Sequence, residues 1–510
     1  MTVLNKSSLK LNVIANFSGR IWITLIGILV VPFYLRYLGV ELYGIIGVFA
    51  SLQAVLTLLD VGLSPTLNRE MARLSAFPDK AQEMRNLTRT LEIPFWLISF
   101  FIGLFTFIIS PYIAQYWIKS ETIPVETISQ SLQLMSIGFA FQWAGNLYSG
   151  GLMGLQQQVA YNFINAFCQT VRTLGSVFTL VYISSTIQAF LLWQTLWSIV
   201  TTLIFVIAFW RSLPKTDSPS EFRIDLLRKI WRFAAGMTGI GFSSLILTQL
   251  DKIILSKMLT LELFGYYALA NMLASTALAM IIGSVSSAYY PQFSQIAALG
   301  DMEHLKQIYH KSCQVMSFFL IPATVVMAFF SYPIMMLWTK DATVAENTYL
   351  LLTLLATGTG LNGLVFLPYN MQLANGLTNL AFWQSVGAII LLVPFMVFAT
   401  AKYGAVGGAL AWVILNLLYV LVGMQIMHRI LLRGELSKWY LEDVGLPALA
   451  MILFCGICRY FYPGELSREL NFILLLLVSF FAMTISLFTT PFPRKRFLEQ
   501  ISKTFKQSLA

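Results

Sequence analysis

Residues 11–34 read LNVIANFSGRIWITLIGILVVPFY, an apolar run interrupted by one charged residue, Arg20. A helix rises about 1.5 Å per residue, so roughly 20 such residues cross a hydrocarbon core of about 30 Å. An arginine stays charged in practice and costs about 2.5 to 3.5 kcal/mol at mid-membrane, so embedded arginines face wet or protein-lined interiors. We therefore expect a membrane helix whose Arg20 side chain faces a wet or protein-lined interior. Such a site suits an anion.

The composition of the whole chain indicates the same class of protein. Hydrophobic residues make up 57% of the 510 residues, charged residues make up 11%, and the mean hydropathy is +0.73. A soluble domain normally has about 25% charged residues. The chain is predicted to be an all-α polytopic membrane protein.

The apolar runs predict fourteen transmembrane spans, and only two residues separate the fifth from the sixth. The spans lie at 11–34, 42–64, 91–117, 132–154, 159–183, 186–210, 230–256, 263–290, 314–338, 346–369, 379–401, 405–428, 440–462 and 470–490. With both termini in the cytoplasm, and with Arg232 and Arg459 near span ends counted with the adjoining loops, this arrangement places 23 of the 33 Lys and Arg residues on the inner side and 7 on the outer side. Cytoplasmic loops normally carry such an excess, so the charges favour an even number of spans.

The net charge of +10 is concentrated in the predicted inner loops, chiefly at 69–89, 211–232 and 494–496. Basic loops of this kind determine topology and attract an anionic lipid leaflet. We expect anionic phospholipids as partners and predict no nucleic-acid binding.

No pattern in the sequence predicts catalysis, a metal site or a cofactor. The pair Cys455 and Cys458 lacks the second pair or the histidines of a zinc site. The three histidines, His304, His310 and His428, fall in predicted inner loops or at a span end. The sequence therefore predicts no histidine proton carrier within the membrane. Nucleotide-binding motifs and paired extramembrane carboxylates are also lacking, so we expect a protein that is not an enzyme.

Two segments of the chain look like copies of one another. YLRYLGVELYG at 34–44 aligns with LSKMLTLELFG at 255–265, and each lies between the first and second helix of its set. The predicted domains are a six-helix lobe at 1–211, a second at 226–432, and two added helices with a basic tail at 433–510. Because six is even, the two copies would enter the membrane in the same direction and surround a central cavity.

Several motifs, in this order, resemble the Wzx-type polysaccharide flippases of the multidrug/oligosaccharidyl-lipid/polysaccharide exporter superfamily. They are RYLGVELYG at 36–44, LLDVGLSPTLNREMAR at 58–73, TQLDKIILSKMLTLELFGYYALA at 248–270 and YGAVGGALAW at 403–412. The resemblance implies a bacterial inner-membrane protein that moves an undecaprenyl-pyrophosphate-linked oligosaccharide from the cytoplasmic to the periplasmic leaflet. The two parallel lobes would give alternating access, driven by an ion gradient with H⁺ or Na⁺ as candidate coupling ions, by the membrane potential or by consumption of the product.

Five charged residues predicted inside spans form the candidate substrate-binding set. They are the cations Arg20, Arg172 and Lys252 and the anions Asp60 and Asp251. Fixed positive charge in a wet cavity suits the diphosphate of a polyprenyl-pyrophosphate-linked glycan. Each residue also has a structural alternative: the arginines could form interhelical pairs, Asp251 could pair with another helix, and Lys252 could reach outward to water.

Asp60 could bind Arg69 or Arg73, or cap the following helix. Helix neighbours point about 100° apart, so Asp251 and Lys252 are not expected to pair.

Amides within the spans could bond between helices or line a wet cavity. They are Asn16, Gln53, Gln142, Asn146, Asn165, Gln169, Gln249, Asn271, Asn362, Asn370 and Gln372.

Three alternatives to a polysaccharide flippase remain open. A drug or cation antiporter of the same superfamily should show several buried carboxylates, whereas only Asp60 and Asp251 are expected to be such residues. A flippase for a lipid-linked peptidoglycan precursor would share the span number and an arginine-rich cavity. A membrane-embedded glycan polymerase or ligase would carry a large outer loop, and every predicted outer loop is short.

Overall fold

The computed structural model describes residues 6–60, 62–228, 249–464 and 466–508. Contacts along the chain define two compact units, Met1–Gly265 and Tyr266–Ala510, called here the N-terminal and C-terminal units. Helices dominate both units, as the hydropathy predicts. The all-helical class is confirmed for the part of the chain that is described.

Among its described residues, the N-terminal unit contains six helices, a short helical stretch and the first residues of a further long helix. They are α1 Lys6–Leu56, α2 Leu63–Leu74, α3 Ala81–Tyr116, α4 Val125–Gly154, α5 Gln158–Phe178 and α6 Ile187–Ser212, followed by a helical stretch at 249–258. A π-helical turn, Thr179–Ile183, extends α5, and the chain breaks at 184–186 before α6 begins. The predicted division between spans 159–183 and 186–210 is confirmed. Gln82, Arg85, Asn86 and Thr90 on α3 hydrogen-bond the connector at 214–223.

The described part of the C-terminal unit contains the rest of this long helix, α7, and nine further helices. The helices are α7 Leu261–Leu299, α8 Met302–Phe329, α9 Ser331–Thr339, α10 Ala342–Ala374, α11 Thr378–Leu418, α12 Met424–Ile430, α13 Leu436–Lys438, α14 Leu446–Tyr460, α15 Arg468–Thr489 and α16 Pro491–Ser508. A π-helical stretch, Trp439–Gly445, joins α13 to α14. Helices α14 and α15 correspond to the last two predicted spans, and both pack against α8.

Ten helical stretches among the described residues are long and apolar enough to cross a membrane. Two of them contain a glycine with positive φ, Gly39 at 80° and Gly404 at 58°, so each consists of two helical segments. These breaks match predicted loops between spans, because glycine accepts such backbone angles without steric cost. A multi-pass membrane protein is therefore confirmed. Fourteen spans are compatible with these helices and stay a prediction, since most of the predicted span 230–256 lies outside the described residues.

Two predicted spans differ from the structure. The span at 42–64 is interrupted, because α1 ends at Leu56, a 3₁₀ turn follows, and α2 begins after Gly62, whose φ is 67°. The span at 314–338 consists of parts of two helices. Helix α8 begins at Met302 and ends at Phe329, and α9 begins after Phe330. Asp301 explains the early start of α8: its side chain accepts a hydrogen bond from the His304 amide at 3.0 Å, which caps the helix.

The two copies of the repeated motif contact each other. A Cβ at Gly44 would lie 2.4 Å from the carbonyl oxygen of Leu261, and a Cβ at Gly265 would lie 2.4 Å from that of Val40. Val40 and Leu261 occupy equivalent motif positions, as do the two glycines. This reciprocal contact is what equivalent surfaces of two related copies make. It also explains why both copies carry glycine at this place.

Candidate functional site

A polar cavity lies inside the N-terminal unit between α4, α5 and α6, with a volume of about 100 Å³. Its lining is unusually polar for the interior of an apolar bundle. The lining residues are Gln142, Gly145, Asn146, Ser149, Tyr161, Asn165, Cys168, Gln169, Arg172, Ser198, Thr201, Thr202 and Phe205. Four of the amides predicted from sequence are therefore brought together, beside one of the predicted cations. We call this space the Arg172 cavity.

Small residues and hydroxyls hold two walls of the Arg172 cavity together. On α6, the Thr195 hydroxyl donates to the Leu134 carbonyl at 2.9 Å and the Thr202 hydroxyl donates to the Phe141 carbonyl at 2.7 Å. Both carbonyls belong to α4. Gly138 and Gly145 make room, because a Cβ on either would approach the threonine hydroxyl oxygens to 3.2 and 3.1 Å. The seven-residue spacing of both pairs keeps the contact on one face of each helix.

Two tryptophans of α6 fix the third wall. Trp193 Nε1 donates to the Arg172 carbonyl at 2.9 Å, and Trp197 Nε1 donates to the Cys168 carbonyl at 2.6 Å. A Cβ at Gly175 would lie 2.1 Å from the Trp193 ring, so this glycine permits the approach. These bonds set the position of the α5 backbone that carries Arg172. They leave the guanidinium itself available to the cavity.

The Arg172 side chain is half-buried and lines the cavity. Within the described residues, no carboxylate oxygen lies within 4.0 Å of its guanidinium. Its electrostatic neighbours are Tyr34 and Cys168. A guanidinium presents five donors in a planar fork that matches phosphate and carboxylate oxygens. The structure thus surrounds a permanent cation with neutral polar groups.

Arg20 lies on α1 and its side chain is exposed. It interacts electrostatically with Tyr161, a residue that lines the Arg172 cavity. Helix α1 packs against α5 at this level. There Trp22 Nε1 donates to the Thr170 hydroxyl at 2.9 Å, and a Cβ at Gly19 would lie 3.0 Å from the amide oxygen of Asn162. The two predicted arginines are therefore carried by contacting helices.

The expectation that Asp251 and Lys252 do not pair is wrong. Lys252 Nζ lies 3.4 Å from Asp251 Oδ1, with the aspartate side chain 11% exposed and the lysine side chain 24% exposed. The long lysine side chain is flexible enough to curve back across the 100° between neighbouring positions. This cation already has an anionic neighbour, unlike Arg172.

Asp60 caps the helix that follows it. Its Oδ1 accepts hydrogen bonds from the Ser64 amide and the Ser64 hydroxyl, both at 3.1 Å. The alternative in which Asp60 binds Arg69 or Arg73 is not seen, since both arginines approach Glu70, at 3.9 and 2.6 Å. One structural role foreseen for Asp60 is thus realised.

Sequence reasoning missed a cluster of charged groups in the C-terminal unit. His310 is 4% exposed and Asp443 is fully buried, and both lie on stretches long and apolar enough to span a membrane. Helix α8 begins twelve residues before the predicted span at 314, so His310 lies on the same helix as that span. The expectation that no histidine lies within the membrane stays a prediction. Lys306, His310 and Gln314 follow at helical spacing, which was the signal available in the sequence.

The expectation of only two buried carboxylates inside spans is also wrong. Glu92 on α3 is 7% exposed and lies in a network that satisfies it. It accepts hydrogen bonds from Tyr148 at 2.5 Å, from Trp210 at 3.2 Å and from Arg89 at 2.7 Å. Asp443 is a further case. The number of carboxylates therefore does not separate a polysaccharide flippase from a cation antiporter, and their pairing has to be considered.

The described residues contain no group of three or more His, Cys, Asp or Glu side chains placed to hold a metal ion. Trp143 is fully buried and stacks on Phe95 at 4.0 Å between ring centroids.

Comparison with known proteins supports the resemblance drawn from sequence. A family profile described as "Polysaccharide biosynthesis protein" matches residues 35–340. A curated protein of Shigella flexneri named "Putative O-antigen transporter" is 23% identical over 404 residues, which cover 79% of this chain and 93% of that protein.

Two solved structures share the fold over most of the chain. A lipid II flippase, MurJ, in an inward closed conformation matches with a TM-score of 0.70 and 16% identity, covering 94% of this chain and 98% of its own. An inward-facing multidrug resistance transporter of the MATE family and MOP superfamily matches with a TM-score of 0.64 and 16% identity, covering 84% and 96%. At such identities the likeness establishes the fold.

Proposed function

We propose that this chain, which belongs to the polysaccharide biosynthesis protein family, transfers a polyprenyl-pyrophosphate-linked oligosaccharide across the bacterial inner membrane by alternating access. Undecaprenyl pyrophosphate is the carrier we propose, and both termini would lie in the cytoplasm. The predicted lobes at 1–211 and 226–432 would move to expose the substrate first to the inner and then to the outer leaflet. The protein acts without a chemical step of its own.

The observation that carries this proposal is the Arg172 cavity. It combines a cation that has no carboxylate partner among the described residues with amides of Gln142, Asn146, Asn165 and Gln169. A diphosphate requires charge-assisted hydrogen bonds, and a glycan requires amide donors and acceptors. Cationic drugs would require the opposite charge. The cavity chemistry therefore favours an anionic, sugar-bearing substrate.

Arg20 extends the proposed site along α1. Its exposed guanidinium and its interaction with Tyr161 support a role in attracting the diphosphate toward the cavity. Lys252 and Asp251 form a close pair, so we assign them a weaker role at the edge of the path. Asp60 caps α2, and its contribution to substrate binding would be indirect.

The decisive experiment measures surface glycan in a deletion strain that expresses Arg172→Gln or Arg20→Ala at the level of the unaltered protein in the membrane. We expect both substitutions to reduce glycan display, with Arg172→Gln the more severe. Arg36→Ala is the matched control, because Arg36 is an exposed arginine on the same helix as Arg20, outside the cavity. Full display after removal of both Arg20 and Arg172 would refute the site.

A second candidate function is the transfer of a lipid-linked peptidoglycan precursor. The similarity of fold to a lipid II flippase, over 94% of this chain, favours it as the alternative. The two substrates share a diphosphate and a polyprenyl chain, and they differ in the sugar and peptide parts.

Depletion of the protein separates the two functions. A polysaccharide flippase leads to accumulation of a lipid-linked oligosaccharide and leaves the cell wall intact. Accumulation of the peptidoglycan precursor, with lysis, would instead support the second function.

A further inference from the structure

The C-terminal unit holds a buried histidine between two carboxylates. His310 Nδ1 on α8 lies 2.5 Å from Asp443 Oδ2, in the π-helical stretch before α14. His310 Nε2 lies 3.1 Å from Glu435 Oε2, in the turn before α13. The side chains of His310 and Asp443 are 5% and 0% exposed, and that of Glu435 is 22% exposed. We call these three residues the His310 cluster.

The hydrogen-bond contacts of the His310 cluster fix the number of protons on its ring. An ionised carboxylate only accepts, and a neutral imidazole donates from one nitrogen only. Two contacts from two ring nitrogens to two ionised carboxylates therefore require a proton on each nitrogen. The imidazole is then a cation.

The surroundings argue that the extra proton is on His310 and not on a carboxyl group. The Phe492 amide donates to Gln314 Oε1 at 2.8 Å, which turns Gln314 Nε2 toward Asp443 Oδ1, also at 2.8 Å. Both oxygens of Asp443 are thus used as acceptors. Glu435 Oε1 lies 3.7 Å from Lys306 Nζ, so this carboxylate has a second cationic neighbour beside the His310 ring.

Other titratable groups face the cluster from each element that packs around it. They are Glu303, Lys306, Tyr309 and Cys313 on α8, His428 on α12 and Lys438 on α13. On α16, Arg496 lies over the ring of Phe492. His428 differs from His310, because its Nδ1 lies 2.9 Å from the Met424 carbonyl and its Nε2 lies 3.2 Å from the Tyr309 hydroxyl. A neutral ring satisfies both of those contacts.

We propose that His310, Asp443 and Glu435 form a proton-binding site, and that the bound proton attaches residues 435–445 to α8. These residues carry the chain into the last two predicted spans. Loss of the proton leaves a nitrogen lone pair facing a carboxylate oxygen in a buried place, where such a mismatch is severe. The segment then separates from α8. This inference does not depend on which lipid-linked substrate the protein carries.

The protonation state can be measured directly on the full-length protein in nanodiscs. The sequence has three histidines, so ¹⁵N-histidine labelling gives few ring signals, and His310→Gln assigns the one of interest. We expect protons on both ring nitrogens of His310 at neutral pH, and on only one in Asp443→Asn. A singly protonated His310 ring in the unaltered protein would overturn the proposal, and this measurement needs no substituted protein to fold beyond the one used for assignment.

Hydrogen exchange tests the attachment. In His310→Gln, amide exchange at 435–445 should rise about tenfold or more, as expected when a local unit opens more often. His304→Gln is the matched control, since His304 lies on the same helix and is exposed. Asp443→Asn should increase exchange in the same segment. Unchanged exchange at 435–445 in both His310→Gln and Asp443→Asn would contradict the proposed role of the proton.

Discussion

The Arg172 cavity and the His310 cluster each surround a cation, but with opposite kinds of neighbour. Arg172 faces amides and hydroxyls across a space of about 100 Å³, with no carboxylate partner among the residues described around it. His310 has a carboxylate at each ring nitrogen, 2.5 and 3.1 Å away. A permanent charge with only neutral neighbours is able to bind a mobile anion. A charge with two anionic neighbours fastens one helix to the next segment.

The partners of an embedded charge, more than its depth, therefore indicate its role. The same rule sorts the other charges of the candidate set. Asp60 is engaged by Ser64, and Lys252 approaches Asp251. Only the arginines remain without an anionic neighbour among the described residues. Substitutions can therefore be designed to affect stability at paired groups and transport at unpaired ones.

The largest effect is expected from Asp443→Ala. Removing one member of a buried ion pair leaves an uncompensated charge and costs about 3 to 5 kcal/mol of unfolding free energy. Thermal unfolding of the purified protein measures the loss. In the double variant with His310→Ala the penalty should be much less than the sum, because both charges are then absent. Additive losses would show that the two side chains do not act as a pair.

A smaller effect, on transport and not on stability, is expected from Arg172→Gln. A charge-assisted hydrogen bond to a phosphate oxygen contributes about 1.5 to 3 kcal/mol, so transfer should slow by roughly 10- to 100-fold. The measurement is transfer of a fluorescent lipid-linked glycan in proteoliposomes. Unfolding temperature should stay close to that of the unaltered protein. A folding defect as large as that of Asp443→Ala would place Arg172 among the paired charges.

Glu92→Gln tests what determines the effect of replacing an embedded charge: its hydrogen-bond partners, or the unit in which it lies. Glu92 lies in the same unit as the Arg172 cavity, but Tyr148, Trp210 and Arg89 all donate to it. Replacing a charged acceptor by a neutral one should cost about 1 to 2 kcal/mol of stability. Transport per folded molecule should be unchanged in the proteoliposome assay. Loss of transport without loss of stability would show that an ionised Glu92 is needed for function.

Much of the fold could be predicted because membrane spans are long apolar runs that the hydropathy of the sequence reveals. The separation of 159–183 from 186–210 and the loops at Gly39 and Gly404 follow from local sequence. The pairing of His310 with Asp443 could not be predicted, because the two residues are 133 positions apart in the chain. The gathering of Gln142, Asn146, Asn165 and Gln169 on one cavity likewise depends on how α4 and α5 face each other. Periodicity within each helix does not contain that information.

The smallest effect is expected at Asp60, and it separates the last ambiguous member of the candidate set. Asp60→Ala removes the acceptor for the Ser64 amide and hydroxyl and should cost about 1 kcal/mol, as loss of a helix cap usually does. Asp60→Asn keeps an acceptor oxygen without the charge, so its unfolding temperature should lie close to that of the unaltered protein. Both variants should transport normally once corrected for the amount of folded protein. If Asp60→Asn folds normally but fails to transport, the carboxylate charge has a role beyond the cap. Asp60 would then be a group that is structurally paired and still functional, and pairing alone would no longer predict which embedded charges bind the substrate.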